Sequence, residues 1–293
     1  MLNRSSIVIV RRILSASLLA VFAITGCHSE ETAPHKYFSR QYLRAAEAID
    51  AGDEVRLRDA VANIDVNARG RKDMTLLWYA IIRKNHAAIR DLVSAGYLVD
   101  EGGTEALETP LEAVLESDNP DFLRAMLDGG LSPNLQQPDG TTLIQRAMFS
   151  DDALSYIRLL VERGADVNLA DSLGAPALYS ATTVINPDVG IFLVEHGADV
   201  NATLKTGVSV AYAVQTSIDD LSAHEPQGPI TDYSVDDSGK IVAIDRILPP
   251  PAISPRGQEL LRKFEQLRAM MIARGARFPP DPPEQVRKRM QQR

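Results

Sequence analysis

The feature that most constrains the fold of this chain is a seven-residue string that occurs twice, 33 residues apart. It reads ERGADVN at 162–168 and EHGADVN at 195–201. Related strings follow two earlier glycines, as GYLVD from Gly96 and GLSPN from Gly130, and a first copy ends NIDVN at Asn67. Successive glycines lie 34, 34 and 33 residues apart. A constant period of this size indicates stacked copies of one small structural unit.

A second signature follows each copy at a nearly constant distance. It reads TLLWYA from Thr75, TPLEAV from Thr109, TLIQRA from Thr142, PALYSA from Pro176 and SVAYAV from Ser209. Two signatures in phase over five copies resemble the ankyrin repeat, in which T-P-L-H-x-A precedes G-A-D-V-N. The resemblance implies an all-α ankyrin-repeat solenoid of about six helix-turn-helix units over residues 37–278.

The residues themselves explain why each unit is a pair of helices. Thr109-Pro110 predicts a helix start, because threonine caps free N–H groups and proline needs none at the first helical position. Asn119-Pro120 and Asn186-Pro187 predict the start of a second helix in the same way. A glycine such as Gly164 then suits the left-handed residue that ends a helix. One unit cannot bury its own apolar faces, so we expect the units to stack into a curved rod.

The first and last units differ from the others in ways that suit the ends of a stack. Residues 37–67 are rich in charge, as expected for a solvated terminal unit. The last unit carries an insertion at about 217–256, in which DYSV and KIVAI flank DDSG and predict a small β-hairpin. A helix is expected to resume at about Gly257, with Leu260, Phe264, Leu267 and Met271 on one core-facing stripe. Residues 279–293 are rich in proline and then in basic residues, which predicts a flexible basic tail.

The start of the chain has the composition of an export signal. Residues 1–26 combine basic residues with the apolar run ILSASLLAVFAI, which is too short to cross a bilayer as a helix. The run ends at ITGC, and Cys27 is the one cysteine of the chain. ITGC resembles the lipobox of bacterial lipoproteins, in which the cysteine is acylated with chains such as palmitate and becomes the new N-terminus. The alternative is a chance cysteine behind a plain signal peptide or anchor helix.

The lipobox resemblance implies an address for the protein. Residues 27–36 would be a short tether, and His28 stands where an aspartate would resemble an inner-membrane retention signal. We therefore expect a lipid-anchored protein of the outer membrane that faces the periplasm. Several acyl chains on one residue give stable anchoring where a single chain does not.

Composition and motifs argue against several classes of chemistry. The formal net charge is −8, and no basic face typical of a nucleic-acid binder is visible. The sequence has no metal-binding His or Cys spacing, no nucleophile motif and no phosphate-binding loop. SVDDSGKIVAID lacks carboxylates at two key positions of a calcium loop and is interpreted as a turn. We therefore predict a protein that is not an enzyme, with no cofactor, no metal and no small-molecule substrate.

In ankyrin proteins the concave face and the projecting loops bind other proteins, which assigns candidate binding residues here by position. Trp78 stands at the histidine of the motif and belongs either to the core or to the binding face. The loop at 103–108 is one residue longer than in the other copies, and with the hairpin it is a candidate specificity element. The candidates are Arg71, Lys72, Met74, Trp78, Glu105, Glu108, Asp139, Thr141, Phe149, Ser172, Leu173, Thr183, Lys205 and Thr206.

Three functional hypotheses follow from these patterns. The first is a membrane-anchored periplasmic module that binds another protein, in its sharpest form an inhibitor or immunity protein of a secreted membrane-active toxin such as a phospholipase. The second is an envelope scaffold or a stress-maintenance adaptor. The third is a hydrolase with a site in the 215–256 insertion, where no oriented catalytic triad is recognisable.

Overall fold

A computed structural model describes residues 33–101, 109–223, 230–235, 241–246 and 253–292. The export signal at 1–26, the lipidation residue Cys27 and the loop candidates Glu105 and Glu108 lie outside these residues. In the part of the chain that is described, no helix combines the length and apolar character that a membrane span requires.

The described chain consists mainly of helices that follow one another in six helix-turn-helix segments. The helices are α1 Arg40–Ala51, α2 Glu54–Val61, α3 Leu76–Ile82, α4 His86–Ser94, α5 Pro110–Glu116, α6 Pro120–Asp128, α7 Leu143–Ala147, α8 Ala153–Glu162, α9 Ala177–Thr183, α10 Pro187–Glu195, α11 Val210–Ser222 and α12 Pro255–Ala273. The predicted all-α repeat architecture of about six units is therefore confirmed.

Capping residues define where the helices begin, at the positions that the sequence signatures predict. Thr109 accepts a hydrogen bond from the backbone N of Glu112, and the Glu112 side chain bonds back to Thr109, which completes a capping box in front of Pro110. Asn119 and Asn186 cap the second helices α6 and α10. Gly164 follows the end of α8 with a φ of +88°, as expected for a left-handed C′ residue.

One compact unit contains α1 to α6 and α8. Its first two helix pairs pack on each other through apolar side chains and through charged groups at their ends. The buried carboxylate of Asp91 in α4 accepts from Arg58 of α2 at 3.1 Å. Glu54 of α2 accepts from Arg90 of α4 at 2.7 Å. Because the Asp91 side chain is only 6% exposed, its two arginine partners offset the cost of burying its charge.

The other compact unit contains α7, α9 to α12 and the C-terminal residues. Helix α12 packs on α10 and α11, and the stripe on α12 buries Phe264, Leu267 and Met271 completely, whereas Leu260 is partly exposed. A methyl group added at Gly190 of α10 would lie 2.8 Å from Leu267 Cδ2, so glycine permits the close approach of these helices. The predicted core role of the stripe is thus confirmed for three of its four residues.

The predicted β-hairpin is present in the insertion between α11 and α12. Strands β1 Ile230–Val235 and β2 Ile241–Arg246 pair in antiparallel register, from Ile230 opposite Arg246 to Val235 opposite Ile241. The strands flank the DDSG turn sequence, as the residue pattern predicted.

The C-terminal residues differ from the expected flexible tail. A final helix, α13 Pro283–Gln291, begins behind Pro282, with proline at its first position. Arg289 of this helix forms an ion pair with Asp281 at 2.5 Å. The prolines that suggested an unstructured tail here lie before the helix and at its first turn, where proline is compatible with a helix.

Candidate functional site

The second compact unit carries three projecting loops, one before each of the helices α7, α9 and α11. Each loop is closed by a single pair of bridged residues: Gln136 with Thr142, Ala170 with Pro176, and Thr203 with Ser209. We name these loops finger A (136–142), finger B (170–176) and finger C (203–209). The last residue of each finger immediately precedes a helix, so the helices determine where the fingers stand.

Hydrogen bonds between neighbouring fingers brace them against one another. Gln136 of finger A donates to the carbonyl of Ala170 in finger B at 3.1 Å. Lys205 of finger C donates its backbone N–H to Leu173 O at 3.0 Å and its ammonium group to Ser172 O at 2.8 Å. Loops fixed in this way present their tips with little conformational entropy left to lose on binding.

The finger tips expose a mixture of polar side chains and one large apolar side chain. Asp139, Ser172, Lys205 and Thr206 are exposed, and Leu173 is 57% exposed. Hydrogen bonds from the backbone and side chain of Thr141 lower the pKa of Asp139, which keeps the tip of finger A negatively charged. An exposed leucine between charged and polar tips is suited to contact with another protein.

Two further candidates of this unit lie at or near the first helices. Thr141 is partly buried, and Thr183 at the end of α9 is exposed. Between the helices, Gln145 of α7 donates to Ala175 O and to Ser180 Oγ, both at 3.1 Å. Gln145 therefore joins finger B and α9 to the preceding repeat and holds the base of the fingers in place.

The candidates of the first compact unit lie in a different local setting. Arg71 and Lys72 are exposed in a 3₁₀ turn at Arg71–Asp73, and Met74 behind them is partly buried. The backbone N–H of Arg71 donates to Tyr37 O at 2.8 Å, which ties the turn to the N-terminal segment. Phe149, in the same unit, is 60% exposed.

Trp78 is buried in α3, with 8% of its surface exposed, which places it in the core and not on an exposed face. Among the described residues its indole N–H has no hydrogen-bond acceptor. Of the two alternatives that the sequence left open for Trp78, the structure supports the core. The role of the other candidates in binding stays a prediction.

A cavity of about 420 Å³ lies in the second unit between the base of finger C and helix α13. Val200, Asn201 and Ser209 line one side, and Val286, Arg289 and Met290 line the other. Within the described ranges, no group of three or more His, Cys, Asp or Glu side chains is arranged to hold a metal ion.

The asparagine of the repeated motif makes a contact between repeats that the sequence analysis did not predict. Asp166 accepts from the backbone N of Asn168 at 2.9 Å, within one turn. The Asn168 side chain reaches the next repeat and donates to Gly197 O at 3.1 Å. The periodic recurrence of asparagine at this position was the signal that could have indicated the contact.

Comparison with known proteins supports the repeat assignment. Residues 111–203 match the family model described as ankyrin repeats in three copies. Protein PhlB of Serratia liquefaciens is 26% identical over 180 residues, which is 58% of this chain and 63% of that protein. The putative palmitoyltransferase ZDHHC13 of Danio rerio is 25% identical over 151 residues, which is 51% of this chain and 22% of that protein. The chain thus spans less than two thirds of the length of either relative.

Two solved structures are similar to parts of this chain. The ankyrin repeat domain of Bcl-3, a member of the IkappaB family, has a TM-score of 0.47 and 24% identity, and the match covers 61% of this chain and 82% of that chain. A chain of the complex between the Bdellovibrio bacteriovorus predatory endopeptidase Bd0816 and the immunity protein Bd3460 has a TM-score of 0.41 and 22% identity. That match covers 60% of this chain and 93% of that chain.

Proposed function

Because this chain folds as an ankyrin-repeat solenoid, which is a protein-binding fold, we propose that it binds another protein through the finger row of its second unit. The observation that carries the proposal is the bracing of fingers A, B and C by hydrogen bonds that run from finger to finger. Preorganised loops on a helical scaffold are the common design of a recognition surface.

Leu173 is the contact that we expect to contribute most to binding. It is 57% exposed at the tip of finger B and stands beside the polar side chains of Ser172 and Lys205. A large apolar side chain that becomes buried between polar neighbours is typical of the centre of an interface. Charged tips at Asp139 and Lys205 would set the orientation of the partner more than its affinity.

The second part of the proposal is that the protein works at a membrane. ITGC ending at Cys27 resembles a lipobox, and acylation there would hold the fingers near the periplasmic face of the outer membrane. At this place the protein would act as an inhibitor or immunity protein of a secreted, membrane-active toxin enzyme such as a phospholipase. The acidic net charge of −8 favours a partner with a basic surface.

Binding through the fingers is tested with matched surface variants. The wild-type chain and the variants Leu173→Asp and Ile272→Asp are used to capture proteins from envelope extract, and the bound proteins are identified by mass spectrometry. Ile272 is the control because it is 50% exposed on α12, outside the fingers. We expect one captured protein to be lost with Leu173→Asp and retained with Ile272→Asp. Equal capture by both variants would show that the partner does not contact finger B.

The membrane part is tested separately by labelling cells with an alkyne-modified fatty acid. The wild-type protein should carry the label and fractionate with outer membranes, and Cys27→Ser should do neither. An unlabelled wild-type protein would contradict lipidation and leave the finger proposal intact. The inhibitor role then predicts that cells that express the protein survive a periplasmic phospholipase toxin, whereas cells with the Leu173→Asp variant lyse.

A further inference from the structure

Gly140, Gly174 and Gly207 occupy the same position in fingers A, B and C, and all have a positive φ, of +85°, +78° and +85°. At each of them the next element lies against the glycine. A methyl group added at Gly140 would lie 2.6 Å from the backbone N of Ser172 in finger B, and one at Gly174 would lie 3.6 Å from the backbone N of Lys205 in finger C. Each finger is therefore covered on one side by its successor.

At Gly207 the covering element is not a finger but helix α13. A methyl group added there would lie 2.7 Å from the carbonyl O of Pro283 and 2.6 Å from Arg287 Cγ. The start of α13 thus stands where a fourth finger would stand. The two elements do not fit closely over their whole length, because the cavity of about 420 Å³ remains between them.

Helix α13 is held in this place by few contacts. None of its residues is buried, and Met290, which lines the cavity, is 44% exposed. In the described chain, the side-chain hydrogen bonds of α13 run to Asp281 and Gln285, within the C-terminal segment itself. Helix α12, by contrast, buries Phe264, Leu267 and Met271 completely. Elements with little buried apolar surface open at low free energy.

We propose that α13 is a displaceable cap on the finger row, which covers the outer side of finger C in the free chain and uncovers it on release. In the closed state α13 occupies this surface. In the open state Gly207, which is buried in the closed state, and the backbone of finger C around it become available to a partner. This inference goes beyond the proposed function, because the opening of α13 can be measured without any partner.

The cap is tested by hydrogen–deuterium exchange on the full chain, with Gly207→Ala as the releasing variant. Gly174→Ala is the matched control, because it places alanine at a similar positive φ where the nearest atoms are 3.6 Å away and the methyl group meets no close neighbour. We expect Gly207→Ala to accelerate exchange in 287–291 and 203–209 by about tenfold or more, and Gly174→Ala to leave 287–291 unchanged. Cleavage by trypsin after Arg287, Lys288 and Arg289 should increase in parallel.

Two results would overturn the proposal. One is that wild-type α13 exchanges as slowly as α12, which would make it a permanent part of the core. The other is that both glycine variants accelerate exchange in 287–291 equally, which would indicate general destabilisation. If Gly207→Ala does not fold, Val286→Asp tests the packing of α13 instead, because Val286 lines the cavity from the side of α13. This variant must accelerate exchange in 203–209 for the proposal to stand.

Discussion

Asn168 forms two hydrogen bonds with the turn that begins at Gly197, one repeat further along the chain. Its amide group donates to the Gly197 carbonyl at 3.1 Å, and its Oδ1 accepts from the backbone N of Asp199 at 2.7 Å. Asn67 repeats this arrangement in the first unit, where it donates to Gly96 O at 3.3 Å and accepts from Leu98 N at 2.9 Å. In both places one asparagine side chain satisfies a carbonyl and an N–H group that follow a helix end of the next repeat.

The substitution Asn168→Ala should therefore destabilise the second unit by about 1–3 kcal/mol, because two hydrogen bonds of about 0.5–1.5 kcal/mol each are lost. Urea unfolding followed by circular dichroism measures the change. Asn201→Ala is the control, since Asn201 has the same position in the motif but its side chain shows no bond to another repeat within the described chain. A loss of the same size in both variants would mean that the asparagine acts within its own turn.

Tyr156 gives a second prediction about contacts between repeats. Its hydroxyl group is fully buried and donates to Val114 O at 2.8 Å, with Ser117 also within hydrogen-bond distance. Tyr156→Phe should lower the free energy of unfolding by about 1–3 kcal/mol, because buried acceptors on α5 and its C-cap lose their donor. Tyr212→Phe should be nearly neutral, since the described part of the chain shows no hydrogen bond of the Tyr212 hydroxyl. Equal stability of wild type and Tyr156→Phe in urea would contradict this account.

Alkaline pH should destabilise the protein through three buried tyrosines. Burial is the main cause that raises the pKa of Tyr79, Tyr97 and Tyr156 above the ordinary tyrosine value, and the Asp50 carboxylate raises that of Tyr79 further. The folded state then keeps these phenolic protons at a pH where the unfolded state has released them. The contribution of these three tyrosines to the free energy of unfolding is therefore constant below about pH 10 and is lost as the pH rises above it.

Unfolding in urea at several pH values between 8 and 11 measures this dependence. Tyr79→Phe should show a shallower loss of stability above the ordinary tyrosine pKa, because one of the three linked protons is gone. A slope identical to that of the wild type would show that Tyr79 does not contribute to the alkaline sensitivity.

The glycines of fingers A and B predict unequal effects of the same substitution. Gly140→Ala and Gly174→Ala both place alanine at a positive φ, which costs about 1–2 kcal/mol. At Gly140 the methyl group would also lie 2.6 Å from the Ser172 backbone, and this clash should add about 1–3 kcal/mol. Thermal unfolding of the two variants compares the costs directly. An equal shift in Tm would show that finger B can move away from finger A without loss.

Local signals made much of the fold predictable. Thr109 with Pro110, and Asn119 with Pro120, cap helices at the predicted places, because capping depends on residues only two or three positions apart. The hairpin was predictable for the same reason, since DDSG and its apolar flanks are contiguous. The exposure of Leu173 and Lys205 follows from their position in loops between helices.

The sequence by itself determined the repeat, its period and the order of helices, because caps, left-handed glycines and helical spacing act within one turn of the chain. Only the tertiary structure decided that Asn168 bonds to the next repeat, that Trp78 is buried and that α13 lies on finger C. These features join residues that are tens of positions apart in sequence. Their geometry depends on how closely the helices pack, and no local pattern of residues specifies that distance.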